Sequence, residues 1–162
     1  MKNIFPHAHD HKSCQTSALH AAETLAQKRG VRLTPLRHRV LEIVLESHRP
    51  MGAYDVLKEL SPERPQPPTV YRALDFLLAQ GFVHRIDSLN AYIGCFSPGE
   101  PHRSHFLLCS ACGRAAEISD DALVSALAHA ARAAGFAVQR ETVEISGLCP
   151  ECASSIPAPK PC

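Results

Sequence analysis

The chain has 162 residues, of which 45% are apolar, with seven cysteines, ten histidines and a formal net charge of +1. This length suits one large domain or two small ones with a core of ordinary size. No apolar run reaches the ~18 residues that a membrane span requires, and the polar N-terminus has no apolar signal region. We therefore expect a globular, cytoplasmic protein with no membrane partner, whose cysteines stay reduced and available for metal.

The charge is divided unevenly along the chain. Residues 1–85 carry twelve Lys or Arg against eight Asp or Glu, a balance of +4, whereas residues 86–162 carry five against eight, a balance of −3. A basic first half suits nucleic acid, and an acidic, cysteine-bearing second half suits metal and self-association. A solvated surface with uneven charge would give a similar pattern.

The N-terminal segment, residues 1–15, is predicted to be a disordered tail. It contains closely spaced potential metal ligands, but such a segment is more often a disordered lead-in. These ligands are His7, His9, His11 and Cys14. Apolar residues at helical spacing then predict a first helix from Thr16 to Arg29, which Gly30 ends.

Capping signals place the next helices. Thr34 is a good N-cap, and Pro35 suits the first helical position, so a second helix starts here and ends before residues 48–50. A third helix is predicted for residues 53–60, followed by a proline-rich loop. The fourth is predicted to open at residues 68–69.

The fourth helix ends at Gly81 and carries polar groups near its start. Leucines form its buried face, while Thr69, Tyr71 and Arg72 lie near the start on the other face. Residues 82–95 then read as two strands joined by a turn. Helices followed by a hairpin are typical of a winged helix-turn-helix domain, in which the last helix enters the major groove of DNA.

Arg72 is the side chain of this helix that suits a bidentate contact with guanine. The alternative is that Tyr71 and Arg72 only pack against a neighbouring element.

A proline and glycine cluster at residues 97–101 is the predicted linker to a second domain. There, strands are expected at 105–108, 114–118 and 136–145. The helix between the last two runs from Asp120 to Ala134, with Ser119 or Asp120 as its cap and Gly135 at its end. Residues 153–162 read as a disordered tail.

Two CxxC pairs carry the strongest chemical signal: Cys109 with Cys112, and Cys149 with Cys152. Each pair forms a tight turn with two thiolates directed at one ion, and two pairs complete the tetrahedral sulfur shell of a structural zinc site. The 36 residues between the pairs exceed the usual spacing of a zinc ribbon, so the pairs should bracket a small folded unit. Two disulfides or a redox-active CxxC are the alternatives.

Four other potential ligands remain: His84, Cys95, His102 and Glu117. Two imidazoles, one thiolate and one carboxylate fill a zinc shell, and the thiolate disfavours manganese or magnesium. Lone His and Glu residues on strand edges are commonly solvated, but two of these four precede the linker and two follow it.

Four stretches together resemble the ferric uptake regulator family, specifically its zinc uptake regulator branch. They are RLTPLR at 32–37, PPTVYRALDFL at 67–77, GFVH at 81–84 and the two CxxC pairs. The resemblance covers residues 18–152. It implies a cytoplasmic homodimer that binds double-stranded operator DNA and represses zinc acquisition genes, with zinc as corepressor and with no enzymatic activity or small-molecule substrate.

Matched residue by residue, the resemblance assigns two zinc ions per chain. The structural ion would be held by Cys109, Cys112, Cys149 and Cys152, and the regulatory ion by His84, Cys95, His102 and Glu117. Tyr71 and Arg72 match recognition-helix residues, and Tyr54 matches a DNA-contacting tyrosine. His105 departs from the pattern, since it adds an imidazole close to His102.

The expected fold class is α+β. Its domains are a tail at 1–15, a winged-helix DNA-binding domain at 16–95, a hinge at 96–101, an α/β dimerisation and metal-binding domain with the four-cysteine site at 102–152, and a tail at 153–162. Zinc at the regulatory ligands would tie the wing to the dimerisation domain and fix the recognition helices at the spacing of DNA half-sites.

Other functions fit less well. An iron- or peroxide-sensing regulator of the same family relies on His and carboxylate ligands, which Cys95 argues against. A zinc enzyme needs an open coordination position, whereas both proposed shells close with four protein ligands. A thiol oxidoreductase using Cys109 and Cys112, or a pure interaction module, would leave the helix-and-hairpin pattern and Arg72 unexplained.

Overall fold

The computed structural model describes Phe5 and residues 11–61, 65–99 and 105–155. Internal contacts divide the chain between residues 100 and 101 into two units, and Phe5 belongs to the second. The division falls within the linker expected from the sequence. His7, His9, His102 and Cys162 lie outside the described residues.

The first helix, α1, spans His11–Lys28 and starts five residues before the predicted Thr16. The side chain of His11 reaches the backbone oxygen of Glu46, 2.7 Å from its Nε2. Because a contact over 35 residues stabilises this first turn, local periodicity could not locate it. Residues 11–15 are therefore helical, and the expectation that they belong to a disordered tail is wrong.

The second helix, α2, spans Pro35–Leu45 and begins as predicted. The Thr34 side chain accepts a hydrogen bond from the backbone N–H of Arg37 at 3.4 Å. Pro35 lies in the first turn, where a backbone N–H would have no intrahelical acceptor, so its missing N–H costs the helix no hydrogen bond. The buried residues of α2 are Val40, Leu41, Ile43, Val44 and Leu45. These side chains form the centre of the helical core.

Two further helices, α3 (Ala53–Glu59) and α4 (Pro67–Ala79), lie within one or two residues of the predicted bounds. Leu74 and Leu77 of α4 are completely buried. Burial of one such side chain is worth about 1.5 to 3 kcal/mol, so this face of α4 is fixed against the core. Gly81, at φ 71°, provides the left-handed residue that follows the helix.

A β-hairpin follows α4, and we call it the wing. Its strands β1 (Val83–Ile86) and β2 (Ala91–Gly94) are antiparallel and are joined by a short 3-10 turn that closes at Asn90, at φ 47°. On the other edge of β2, Tyr92 exchanges two backbone hydrogen bonds of 2.8 Å with Met51. The wing is therefore anchored to the segment that precedes α3.

The wing packs closely on α2 at one glycine. A Cβ added to Gly94 would lie 2.9 Å from Cγ of Leu45 and would clash with its Cδ2 as well. Leu45 is fully buried, so it has little room to move. Val83 and Tyr92 belong to the same helical core, which places one face of the wing inward.

The second unit contains β3 (His105–Cys109), β4 (Ala115–Ile118), α5 (Asp121–Ala133), β5 (Val143–Gly147) and α6 (Pro150–Ser154). The strands form a sheet in the order β4-β3-β5, with β3 antiparallel to β4 and parallel to β5. A parallel pair requires a crossover, which the segment containing α5 provides. Asp120 caps α5 by accepting the backbone N–H groups of Ala122 and Leu123.

The last strand differs from the prediction of 136–145. It begins only at Val143, which pairs with the first residue of β3, and continues to Gly147. Phe136 and Val138 lie outside it and are exposed. Their apolar alternation resembled a strand, but a strand also needs a pairing partner, and β3 supplies one only from Val143 onward in the described structure.

Residues 153 and 154, expected in the C-terminal tail, belong to α6. Among the described residues, the structure contains no helix with the length and apolar character needed to cross a membrane.

Candidate metal centre and nucleic-acid interface

The parallel pairing of β3 with β5 brings the two CxxC pairs together. It places Cys109 opposite Gly147, two residues before Cys149. Ser110 reinforces the pairing, since its backbone N–H and its hydroxyl both donate to the carbonyl of Gly147, at 2.8 and 3.1 Å. Residues far apart in sequence therefore meet at one end of the sheet, around the small folded unit that the spacing predicted.

Each CxxC pair is held by backbone hydrogen bonds. In the first, Gly113 N–H donates to Cys109 O at 2.9 Å, and Cys109 N–H donates to Arg114 O at 2.8 Å. Gly113, at φ 71°, adopts the conformation that this turn needs. In the second, Ala153 N–H donates to Cys149 O at 2.9 Å, within the first turn of α6.

The four sulfur atoms lie within 4.8 Å of one another, as a metal site requires. Those of Cys112 and Cys149 are 3.9 Å apart. Zinc–sulfur bonds of about 2.3 Å in a tetrahedron separate the sulfurs by about 3.8 Å, whereas a disulfide brings them to about 2.0 Å. The geometry fits a zinc shell and not a pair of disulfides.

Local hydrogen bonds make the four thiols unequal. The backbone N–H groups of Cys112 and then of Cys149 lower the pKa of Cys109 to about 6. The backbone nitrogen of Cys149 lies 3.3 Å from the sulfur of Cys109. The side chain of Cys149, together with burial, raises the pKa of Cys152 to about 12. Crowded thiols cannot all ionise by themselves, and a divalent cation supplies the charge that lets them do so.

An apolar wall covers part of this cluster. Phe5 is buried and packs with Ala116, Cys109 and Cys149. Four sulfur ligands with an apolar neighbour leave no open coordination position for a substrate, which is the arrangement of a structural rather than a catalytic zinc site.

Two of the other four candidate ligands lie on one face of the wing. His84 pairs with Ile93, and Cys95 follows Ile93 by two residues, so His84 and Cys95 point to the same side. Cys95 continues the ladder, because its N–H donates to Phe82 O at 3.0 Å. Both side chains are buried. The structure therefore places a thiol and an imidazole as diagonal neighbours.

Glu117, the third candidate ligand, lies in the second unit on β4, opposite Phe106. His105 neighbours Phe106 in β3, so its side chain lies on the other face of the sheet from Glu117. Its Nε2 is 2.8 Å from Oε1 of Glu141. The imidazole of His105 is therefore paired with a carboxylate on the other face of the sheet from Glu117. His102 lies outside the described residues.

The candidate DNA-contacting residues are exposed. Thr69, Tyr71 and Arg72 occupy the first turns of α4 on the side opposite its buried leucines. Tyr54, in the first turn of α3, is 65% exposed. The exposure of Tyr71 and Arg72 disfavours the alternative that they only pack against a neighbouring element.

Sequence reasoning missed two polar groupings. One is the His105–Glu141 pair, which joins residues 36 positions apart. The other is a cluster of His11, Cys14 and His48 in the first unit. The spacing of three between His11 and Cys14 fits one face of a helix, but this signal could be used only if α1 had been extended back to His11.

Comparisons with known proteins agree with the geometry. The model of the ferric uptake regulator family matches residues 28–146. The zinc uptake regulation protein of Escherichia coli (strain K12) is 40% identical over 144 residues, which cover 87% of this chain and 84% of that protein.

Two solved structures are similar over most of the chain. A zinc uptake regulator complexed with zinc and DNA is 39% identical, with a TM-score of 0.80, over 86% of this chain and 95% of that one. The holo form of XcZur is 43% identical, with a TM-score of 0.78, over 85% and 97%. A match to the family model over most of the chain, together with this level of identity, shows that the chain belongs to the ferric uptake regulator family.

Proposed function

We propose that this protein is a zinc-responsive transcriptional repressor of zinc acquisition genes, with zinc as its corepressor. The observation that carries the proposal is the exposed start of α4, where Thr69, Tyr71 and Arg72 face away from the core. The N-terminal residues of such a helix are those that reach base edges in winged-helix proteins. Operator DNA lies inside the cell, so the proposal includes a cytoplasmic location. The proposed role is regulation through DNA binding, with no enzymatic activity.

Arg72 is the residue proposed to read a base, since a guanidinium can donate two parallel hydrogen bonds to guanine. Thr69, Tyr71 and Tyr54 are proposed to contact the DNA backbone or neighbouring bases. The two relatives named for zinc uptake regulation, one of them solved with zinc and DNA, support a DNA-binding role for this chain.

The second unit supports a homodimer. Helix α5 has no fully buried residue in the single chain, although an amphipathic helix gains stability by burying its apolar stripe. Strand β5 is an edge of its sheet. Ile145 within the strand, Leu148 directly after it and Phe136 in the segment after α5 are exposed. An exposed edge with apolar neighbours is a surface that a second copy of the chain can cover.

We propose one structural zinc ion in the four-cysteine cluster and a second, regulatory ion per chain. The regulatory ligands would be His84, Cys95, His102 and Glu117, and the position of His84 beside Cys95 on the wing supports this set. When bound, zinc would link these four side chains. Because the set includes residues from both sides of the linker at 96–101, the chain's response to zinc would couple the wing to the dimerisation domain.

The alternative is an iron or peroxide sensor of the same family. The buried thiol of Cys95 disfavours it, because a thiolate selects zinc over harder cations.

A gel-retardation assay tests the proposal. DNA fragments that the zinc-loaded protein selects from a random duplex pool would be retarded in the presence of zinc, released by a chelator that leaves the four-cysteine cluster loaded, and retarded again when zinc is restored. A scrambled fragment of the same composition is the control. Equal retardation by Fe²⁺ or Mn²⁺ would favour the alternative, and no metal-dependent retardation would contradict both.

A further inference from the structure

A group of three potential metal ligands lies in the first unit, apart from the sites discussed above. It consists of His11 and Cys14 in the first turn of α1 and His48 in the loop after α2. One nitrogen or sulfur atom from each lies within 4.8 Å of the others. Ligand atoms around one zinc ion are separated by about 3.3 to 3.8 Å, so small side-chain rotations would complete the arrangement.

The chain brings these groups together by tying α1 to α2. Gln15, one residue after Cys14, donates its side-chain N–H to the carbonyl of Glu42 at 3.1 Å. His11 reaches the carbonyl of Glu46, one helical turn further on. Two such contacts at a spacing of four residues on each helix fix the face of α1 that carries both His11 and Cys14.

A local turn holds the third ligand. In the loop after α2, the Arg49 N–H donates to the Ser47 hydroxyl at 3.2 Å. His48 lies between these two residues, and its ring centroid is 4.8 Å from that of His11. The loop therefore presents the His48 ring next to the start of α1.

The contact of His11 with Glu46 also fixes which ring nitrogen can bind a metal. A carbonyl oxygen only accepts hydrogen bonds, so the His11 Nε2, at 2.7 Å, carries the proton and donates. The lone pair that could bind a metal ion is then on Nδ1 of His11. Histidines that bind metals almost always donate their other ring N–H in this way, commonly to a backbone carbonyl.

An aromatic ring borders the group. The Phe96 centroid lies 4.5 Å from that of His48 and 6.2 Å from that of His11. An apolar wall on one side limits the access of water, which strengthens the attraction between a cation and a thiolate. All three ligand residues nevertheless keep partial exposure, which gives an ion a route of entry.

We propose that His11, Cys14 and His48 form a third metal site, which binds a divalent cation of zinc-like softness. One thiolate and two imidazoles are ligands that zinc prefers, and the fourth position would be taken by water. With three protein ligands, the site is expected to hold zinc less tightly than the four-cysteine cluster does. An ion here would connect the start of α1 to the loop after α2, within the first unit. The proposal is independent of the regulatory site.

Cobalt provides the test, because Co²⁺ bound to a thiolate absorbs strongly in the near-ultraviolet. The experiment uses the full chain with Cys95→Ser, with zinc retained in the four-cysteine cluster and checked by metal analysis. Addition of Co²⁺ should produce thiolate-to-cobalt absorption that saturates at one ion per chain. Cys14→Ser in the same background should abolish the absorption. His48→Ala should weaken Co²⁺ binding by more than roughly tenfold, because loss of a residue that only orients a metal ligand already lowers metal affinity by about that factor.

His20→Ala is the matched control, since His20 is an exposed histidine of the same helix outside the group. It should leave the absorption unchanged. Circular dichroism would verify that each variant keeps its helices. Absence of the thiolate band in the Cys95→Ser protein, or an equal band after Cys14→Ser at constant zinc content, would overturn the proposal.

Discussion

The Nε2 of His105 lies 2.8 Å from Oε1 of Glu141, and the His105 side chain is fully buried. A carboxylate oxygen accepts, so the imidazole Nε2 donates this hydrogen bond. His105 begins β3, and Glu141 lies two residues before the start of β5. The pair therefore fastens the returning chain to the strand with which it must pair, and so supports the register that places Cys109 opposite Gly147.

Substitution of Glu141 should weaken the second unit. Glu141→Ala leaves a buried imidazole N–H without its acceptor, which costs about 1 to 3 kcal/mol. Glu141→Gln keeps an acceptor of the same length and should recover much of the loss. Urea unfolding of the two variants, followed by circular dichroism, checks this order, and equal stabilities for Ala and Gln would contradict it.

Gly94→Ala should destabilise the first unit. The added methyl would lie 2.9 Å from Cγ of the buried Leu45, and overpacking of a core costs about 1 to 3 kcal/mol. Combining it with Leu45→Ala removes the obstructing atoms, so the double variant should be more stable than the sum of the single changes predicts. Thermal unfolding measures this coupling.

Gly52→Ala is the control in the same unit. A Cβ at Gly52 would lie 3.4 Å from Oδ2 of Asp55, an ordinary contact distance, so this substitution should cost less than Gly94→Ala does. Purely additive effects of Gly94→Ala and Leu45→Ala would show that the close packing is not the cause.

The sequence was sufficient for the elements whose signals are local. The N-cap at Thr34, the glycine after α4 and the Asp120 cap set helix ends within two residues, because capping depends on the nearest few residues. The two CxxC turns could likewise be predicted, since each pair forms its own turn.

The remaining features depend on contacts between distant residues. The start of α1 relies on the His11–Glu46 contact, and the bounds of β5 are set by the register with β3. The exposed apolar residues Phe136 and Val138 gave a strand-like alternation without a pairing partner. Such contacts cannot be predicted from residue spacing or intrinsic propensity. The predictions therefore fail at elements whose bounds depend on contacts between distant residues.

Cys109→Ser should unfold the second unit. Structural zinc sites contribute an apparent binding energy of about 10 to 16 kcal/mol to folding, and one lost thiolate weakens the shell. Size-exclusion chromatography should show loss of the dimer, with zinc content reduced. Cys14→Ser, which removes a half-buried thiol outside this cluster, is the control for folding and dimerisation. A normal folded dimer that lacks this zinc would contradict the structural assignment.

Arg72→Ala should reduce discrimination between operator and random DNA without changing zinc content. A bidentate contact with guanine is worth about 1 to 3 kcal/mol of discrimination. Arg132→Ala removes the same charge from an exposed position on α5 and should leave discrimination unchanged. Competition binding with selected and scrambled duplexes measures both, and full discrimination in Arg72→Ala would remove this residue from base reading.

Zinc-dependent operator binding by Cys95→Ser is the most direct test of zinc sensing. A serine hydroxyl is a poor zinc ligand, so the regulatory site should weaken greatly while the four-cysteine cluster keeps its ion. After mild chelation, the protein should be a folded dimer with about one zinc per chain. Its operator affinity should approach the nonspecific level even when zinc is added back. Tight, zinc-dependent operator binding by a folded Cys95→Ser dimer would contradict the proposed sensing site.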